Sequence, residues 1–198
     1  MRAAAITLGL ALLPAHAFAQ FGNPAFMAPD TKMEKPGVPA PNQTNNTDRL
    51  FAQLLAAGGM AEVDLGKLAA DKTDHDGVKN FANRMVQDHS KANDLLKSIA
   101  EKSKIPLPGE LDADHQKMRA DLEKLNGTEF DLAYLSGQIV DHQKTVQLLS
   151  WQIGSGQDAE LQHFAADQLP IVLDHLQMAL TLRAELAGQA TAEPAKAQ

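Results

Sequence analysis

The stretch "VKNFANRMVQDHSKANDLLKSI", Val78 to Ile99, decides the fold. Its apolar positions Val78, Phe81, Met85, Ala92, Leu96 and Ile99 recur every three or four residues, the spacing that lines one face of an α-helix. His89 occupies the one step of that stripe where another apolar residue is due. The helix runs from near Asp76 to about Ser103, because "KIPLPG" follows, with Pro106 and Pro108 unable to continue it.

The same periodicity recurs on both sides. A first helix is expected from near Asp48 to Ala70, with Asp48 as its cap, and a short one in "LDADHQKMRADLEKL", ending at Asn126-Gly127. Thr128, with Asp131 three residues on, opens a further helix to about Ile153. After "GSGQD", Asp158 opens the last, to about Leu186, with a kink expected at Pro170. Strand-like alternation is nowhere sustained. Two long helices, a connection carrying a short helix, then two long helices make an all-α, four-helix bundle with one crossover connection.

The ends of the chain read differently. "MRAAAITLGLALLPAHAFAQ" has Arg2, an apolar run to Leu13, and Ala17 and Ala19 in the A-x-A arrangement of a signal-peptidase site, so residues 1–19 are expected to be a signal peptide. Residues 20–47 are rich in Pro, Asn and Thr and read as a flexible linker, 48–187 as the bundle, and 188–198 as a disordered tail. No later segment approaches the roughly 20 apolar residues of a membrane span, so an exported, periplasmic location is expected. The chain holds no cysteine, which excludes thiolate ligands, thiol catalysis and disulfides. Its formal charge is −7, with Lys and Arg scattered, which argues against nucleic acid as a partner.

Each long helix has one ionisable residue on its inward stripe. Glu62 interrupts Phe51, Leu55, Gly58, Leu65 and Ala69. His89 has been described, His142 follows Leu132, Leu135 and Ile139 and precedes Val146, Leu149 and Ile153, and His175 lies between Val172 and Ala179. All four sit well away from the helix ends, so they can meet at mid-bundle. Three imidazoles and a carboxylate in one apolar core strand donors and lone pairs, at a cost of order 1–3 kcal/mol for each unmade bond. A metal ion removes that cost. The expectation is a mononuclear site of Glu62, His89, His142 and His175 holding zinc, copper, iron or manganese, among which spacing does not choose.

Each of these histidines follows an aspartate: Asp88, Asp141 and Asp174. One residue earlier is about 100° round the helix, toward the seam with a neighbour, where a carboxylate can orient a ligating imidazole from the next helix. His75, His115 and His163 are expected at the surface, and Met85 as core filler. Two other readings stand beside metal storage, buffering or sensing. One is an envelope interaction or stress protein in which a closed Glu-His-Asp network only fixes the packing. The other is a mononuclear metalloenzyme, disfavoured because no second inward acid or nucleophile is visible.

"AEVDLGKLA", "VKNFANRMVQDHSKAN", "EFDLAYLSGQIVDHQ" and "LQHFAADQLPIVLDHLQMA" resemble the exported bacterial ferritin-like family catalogued as domain of unknown function 4142, often labelled an outer-membrane protein. The resemblance covers about residues 48–187 and implies a ferritin-like bundle in the cell envelope, with no established activity. The ligand and aspartate positions above all fall in its motifs. Di-iron members of the wider ferritin-like class use two Glu and two inward Glu-x-x-His pairs. This chain has one inward Glu and no such inward pair.

Overall fold

The structure, a computed structural model, describes residues 45–192. The signal peptide expected at residues 1–19, nearly all of the linker and residues 193–198 lie outside the described residues. Five helices follow in order: α1 (Asn46–Lys72), α2 (Asp76–Lys102), α3 (Ala113–Leu122), α4 (Gly127–Ser155) and α5 (Ala159–Ala192). The last continues past residue 187, where the tail was expected, and runs through Pro170. Among the described residues no helix is long and apolar enough to cross a membrane.

The fold is a ferritin-like four-helix bundle. α1 packs along α2 and α4 along α5; the contacts of α1 with α4 and of α2 with α5 close the square. The first residues of α1 meet the end of α4, and Ser103 at the end of α2 donates to Asp158 at the start of α5, 3.0 Å. α2 and α4 are therefore parallel, and the chain must return along the bundle between them. That return carries α3, pinned by Arg119 to Asp64 of α1, 2.7 Å, and by Lys72 to the carbonyl of Glu123.

Asp48 does not cap α1. Asn45 does, accepting from the Asp48 amide at 2.8 Å, while the fully buried Asp48 carboxylate receives Gln152 Nε2 at 2.6 Å and the Asp158 amide at 2.8 Å. It thus ties the start of α1 to the α4–α5 turn. This also corrects the phase at the end of α4, where Gln152 is buried and Ile153 is exposed. The buried carboxylate needs a donor on that face more than the core needs a methyl. Asp48→Ala strands those donors, so an unfolding free energy lower by on the order of 3 kcal/mol is expected. Denaturant unfolding measures it, and a loss below about 1 kcal/mol would show that water takes over the donors.

The core is divided in two. One apolar cluster contains Leu65, Phe81, Met85, Tyr134, Ile139 and Ala179. The other contains Phe51, Ala56, Leu96, Leu149, Phe164 and Val172. Along every long helix the inward ionisable residue falls in the gap between them: Glu62 between Ala56 and Leu65, His89 between Met85 and Leu96, His142 between Ile139 and Leu149, and His175 between Val172 and Ala179. A polar layer therefore crosses the middle of the bundle.

Candidate metal centre

Three of the four layer residues form a triangle. Ring centroids are 5.5 Å apart for His89 and His142, 5.4 Å for His89 and His175, and 5.5 Å for His142 and His175. One nitrogen from each ring lies within 4.8 Å of the other two. A metal ion bonded to three imidazoles at about 2.0–2.1 Å holds their nitrogens about 3.3–3.6 Å apart, so side-chain shifts of about 1 Å bring all three within its reach. His142 and His175 are each 1% exposed, and His89 9%.

Two of the rings are oriented by acceptors that can take only a hydrogen. Nδ1 of His142 donates to the carbonyl of Gln138, 2.9 Å away and one turn earlier. Nε2 of His175 donates to Asp88 on α2 at 3.1 Å. Each proton placed there leaves the opposite nitrogen with its lone pair. Those nitrogens, Nε2 of His142 and Nδ1 of His175, have no hydrogen-bond partner, and neither has Nε2 of His89.

All three imidazoles are neutral near pH 7. Burial pushes His89 down to about 3, with the charges of His142 and His175 adding to it. Burial likewise takes His142 down to about 4, against its bond to Gln138. His175 is lowered by burial, with Asp88 opposing. Neutral imidazole is the form that binds a metal.

Glu62, expected as a fourth ligand, stands beside the triangle. Its Oε1 is 3.5 Å from Nδ1 of His142, on the side of that ring turned away from the free Nε2, and its Oε2 has no partner. Burial raises its carboxyl to about 8, with a bond from Gln138 opposing and the charge of Asp141 adding, so it keeps its proton at neutral pH. A cavity of about 30 Å³ adjoins Glu62 and His89.

The aspartates divide. Asp88 reaches His175 across the α2–α5 seam and is itself held by Arg84, 3.3 Å, which reaches on to Asp174 at 2.7 Å. Asp174 thus faces solvent and a guanidinium, and is not placed against an imidazole of the triangle. Asp141 is buried beneath α3 instead, facing Lys144 at 3.0 Å and His115 at 3.7 Å. The 100° offset carries each to a seam, but the residue waiting in that seam comes from another part of the chain.

His115 was expected at the surface. It is half-buried where α3 lies on the bundle, and its bonds to Asp141 and Asp112 raise it to about 9. Only the Asp112-x-x-His115 spacing hinted at this, and it reads equally as a helix cap, which Asp112 also provides at 2.9 Å. His75 caps α2 through Nδ1, 3.3 Å from the Val78 amide, and His163 is exposed. Met85 is wholly buried in the first apolar cluster.

The fold and the layer together define a ferritin-like helical bundle with an all-imidazole cluster in its interior. The chain belongs to the family described as "Domain of unknown function (DUF4142)", which matches residues 33–182. Among solved structures it is similar to a DUF305 fragment from Deinococcus radiodurans, with 13% identity over 71% of this chain and 97% of that one and a TM-score of 0.63. It is also similar to a DUF305 protein from Streptomyces coelicolor, with 16% identity over 71% and 92% and a TM-score of 0.61. At such identities the likeness is one of fold. No match is found among curated proteins.

Proposed function

We propose that this protein is an exported metal-binding bundle that stores, buffers or senses a divalent transition metal. His89, His142 and His175 are its ligands. The observation that carries the reading is the set of three buried ring nitrogens, one on each imidazole, that lack partners while the opposite nitrogens of His142 and His175 are held by Gln138 and Asp88. A closed polar network would leave none of them free, since each unpartnered buried group costs on the order of 1–3 kcal/mol. The arrangement suits imidazole-binding ions, zinc, copper, iron or manganese. Export rests on the signal-like sequence of residues 1–19.

The test is metal analysis of the full chain purified from the periplasm, with melting followed as each ion is added. About one equivalent of one metal and a raised melting temperature are expected. Less than a tenth of an equivalent, with no thermal response to any of the four ions, overturns the reading. Asp88→Ala should weaken binding about 10- to 100-fold, because it frees the His175 ring to turn. Asp174→Ala, one salt bridge further out, should have a smaller effect on the same titration.

The cavity beside Glu62 and His89 favours a second reading, a mononuclear metalloenzyme. Three imidazole ligands leave a coordination position for water or substrate, and a carboxyl near pKa 8 is suited to trading a proton there. Metal-dependent turnover that Glu62→Gln abolishes while binding survives would select it over storage.

A further inference from the structure

The site is enclosed, and an ion has to reach it. The two apolar clusters block the ends of the bundle. The α2–α5 seam is bridged over His175 by Arg84, which bonds Asp88 and Asp174 and touches Met178 Sδ at 3.1 Å. In the α1–α2 seam, Asn93 lies flat on Gly59, so closely that a Cβ there would meet its Oδ1 at 2.0 Å.

A groove of about 430 Å³ lies on the α1–α2 seam too, and Asn93 is the one wall residue it shares with the inner cavity. On the α1–α4 seam nothing crosses the helix at Gly58 in that way. A surface groove of about 460 Å³ runs along this seam, with Leu54, Trp151, Asp141 and His115 in its walls. The 30 Å³ cavity beside Glu62 and His89 lies behind it, and the two spaces share Gly58 and Thr145 as walls. A Cβ added at Gly58 would meet nothing within 4 Å. Glycine inside a helix costs roughly 0.5–1 kcal/mol relative to alanine. At Gly59 the crossing of Asn93 accounts for that cost, whereas at Gly58 no packing neighbour does. Gly58 lines both the groove and the cavity, and the cavity is lined as well by Glu62 and His89, whose Oε2 and Nε2 have no partners.

We propose that the α1–α4 seam at Gly58 is the passage by which a metal ion reaches and leaves the histidine triangle, an inference that rests on the metal-binding reading above. The class of traveller is a small aquo-ion that sheds part of its water, since a cavity of 30 Å³ holds about one water molecule beside it. A chelator is too large to follow it in, so release waits on the ion's own exit.

The experiment is stopped-flow mixing of the apo full chain with copper(II), followed by the imidazole–copper absorbance, and the reverse transfer of copper to EDTA. Gly58→Leu should slow both uptake and release at least tenfold while the equilibrium affinity stays within about threefold. Gly58→Ala, with its small side chain in open space, should slow them less. In the wild type the release rate should not depend on EDTA concentration. Unchanged rates in Gly58→Leu overturn the passage, as does a change in affinity with release unaltered. Faster exchange in Asn93→Ala, with Gly58→Leu unaffected, would move the route to the α1–α2 seam and likewise overturn it. If the wild type takes up no zinc, copper, iron or manganese, the metal reading itself falls. If it binds through the three histidines while both glycine variants behave as wild type, only the route falls.

Discussion

Replacing His89, His142 or His175 singly by alanine is expected to lower the affinity for the bound metal on the order of 10²–10³-fold. Structural zinc sites with four ligands bind with about 10–16 kcal/mol, so one ligand carries about 2.5–4 kcal/mol, and each 1.4 kcal/mol is a factor of ten. The three losses should be similar, because the rings stand at nearly equal distances from one another. They should not add in a triple variant, which has no site left to weaken. Competition titration against a chromophoric chelator at pH 7 measures them. Affinity should also fall as the solution is made acidic, since protons compete for the ring nitrogens. Because burial holds His89 near 3 and His142 near 4 and lowers His175 as well, that competition at the folded apo site sets in below the ordinary imidazole value near 6.5. Wild-type affinity retained in all three single variants would remove the imidazoles from the ligand set.

The apo protein is expected to be most stable near pH 6–7 and to lose stability on both sides. On the acid side the unfolded histidines bind protons from about 6.5 downward, whereas folded His89 and His142 resist them until about 3 and 4. Their contribution is complete above pH 6.5 and is lost as the pH falls from there toward those values. At about 1.4 kcal/mol per pH unit per group, the loss amounts to several kcal/mol. Asp88, held below the ordinary range by His175 and Arg84, adds a loss of the same sign at lower pH. Glu62 works the other way, because its folded value near 8 lies above the unfolded one near 4.5. It stabilises fully below 4.5, and its contribution disappears as the pH rises to 8. Between 4.5 and 6.5 the histidines outnumber it and stability still rises with pH. Above 6.5 Glu62 remains, aided by the more exposed His115, and stability declines. Denaturant unfolding of metal-free protein from pH 4 to 9 tests the shape of the curve. In Glu62→Gln the decline above pH 6.5 should shrink, and an unchanged curve would mean that the carboxylate is not desolvated.

Periodicity alone made the helices, their order, the crossover and, except at the end of α4, the inward faces legible, because burying an apolar stripe is a demand each helix carries in its own sequence. The histidine triangle was legible for the same reason: one imidazole per stripe, at matching depth, leaves the three rings no other place to go. What the chain could not announce was anything that depends on a partner from a distant segment. Glu62 is on the right face, yet it meets the wrong nitrogen of His142, because the ring's orientation follows from its bond to the Gln138 carbonyl. Asp88, Asp141 and Asp174 have identical local settings and three different partners, His175, His115 and Arg84, chosen by which side chain the opposite wall of each seam supplies. Asp48 reads as a cap and becomes a buried clamp once the α4–α5 turn is brought against it. Local spacing determines which face of a helix turns inward; hydrogen bonds and charge pairs are decided over a few ångströms between segments that only the tertiary fold brings together.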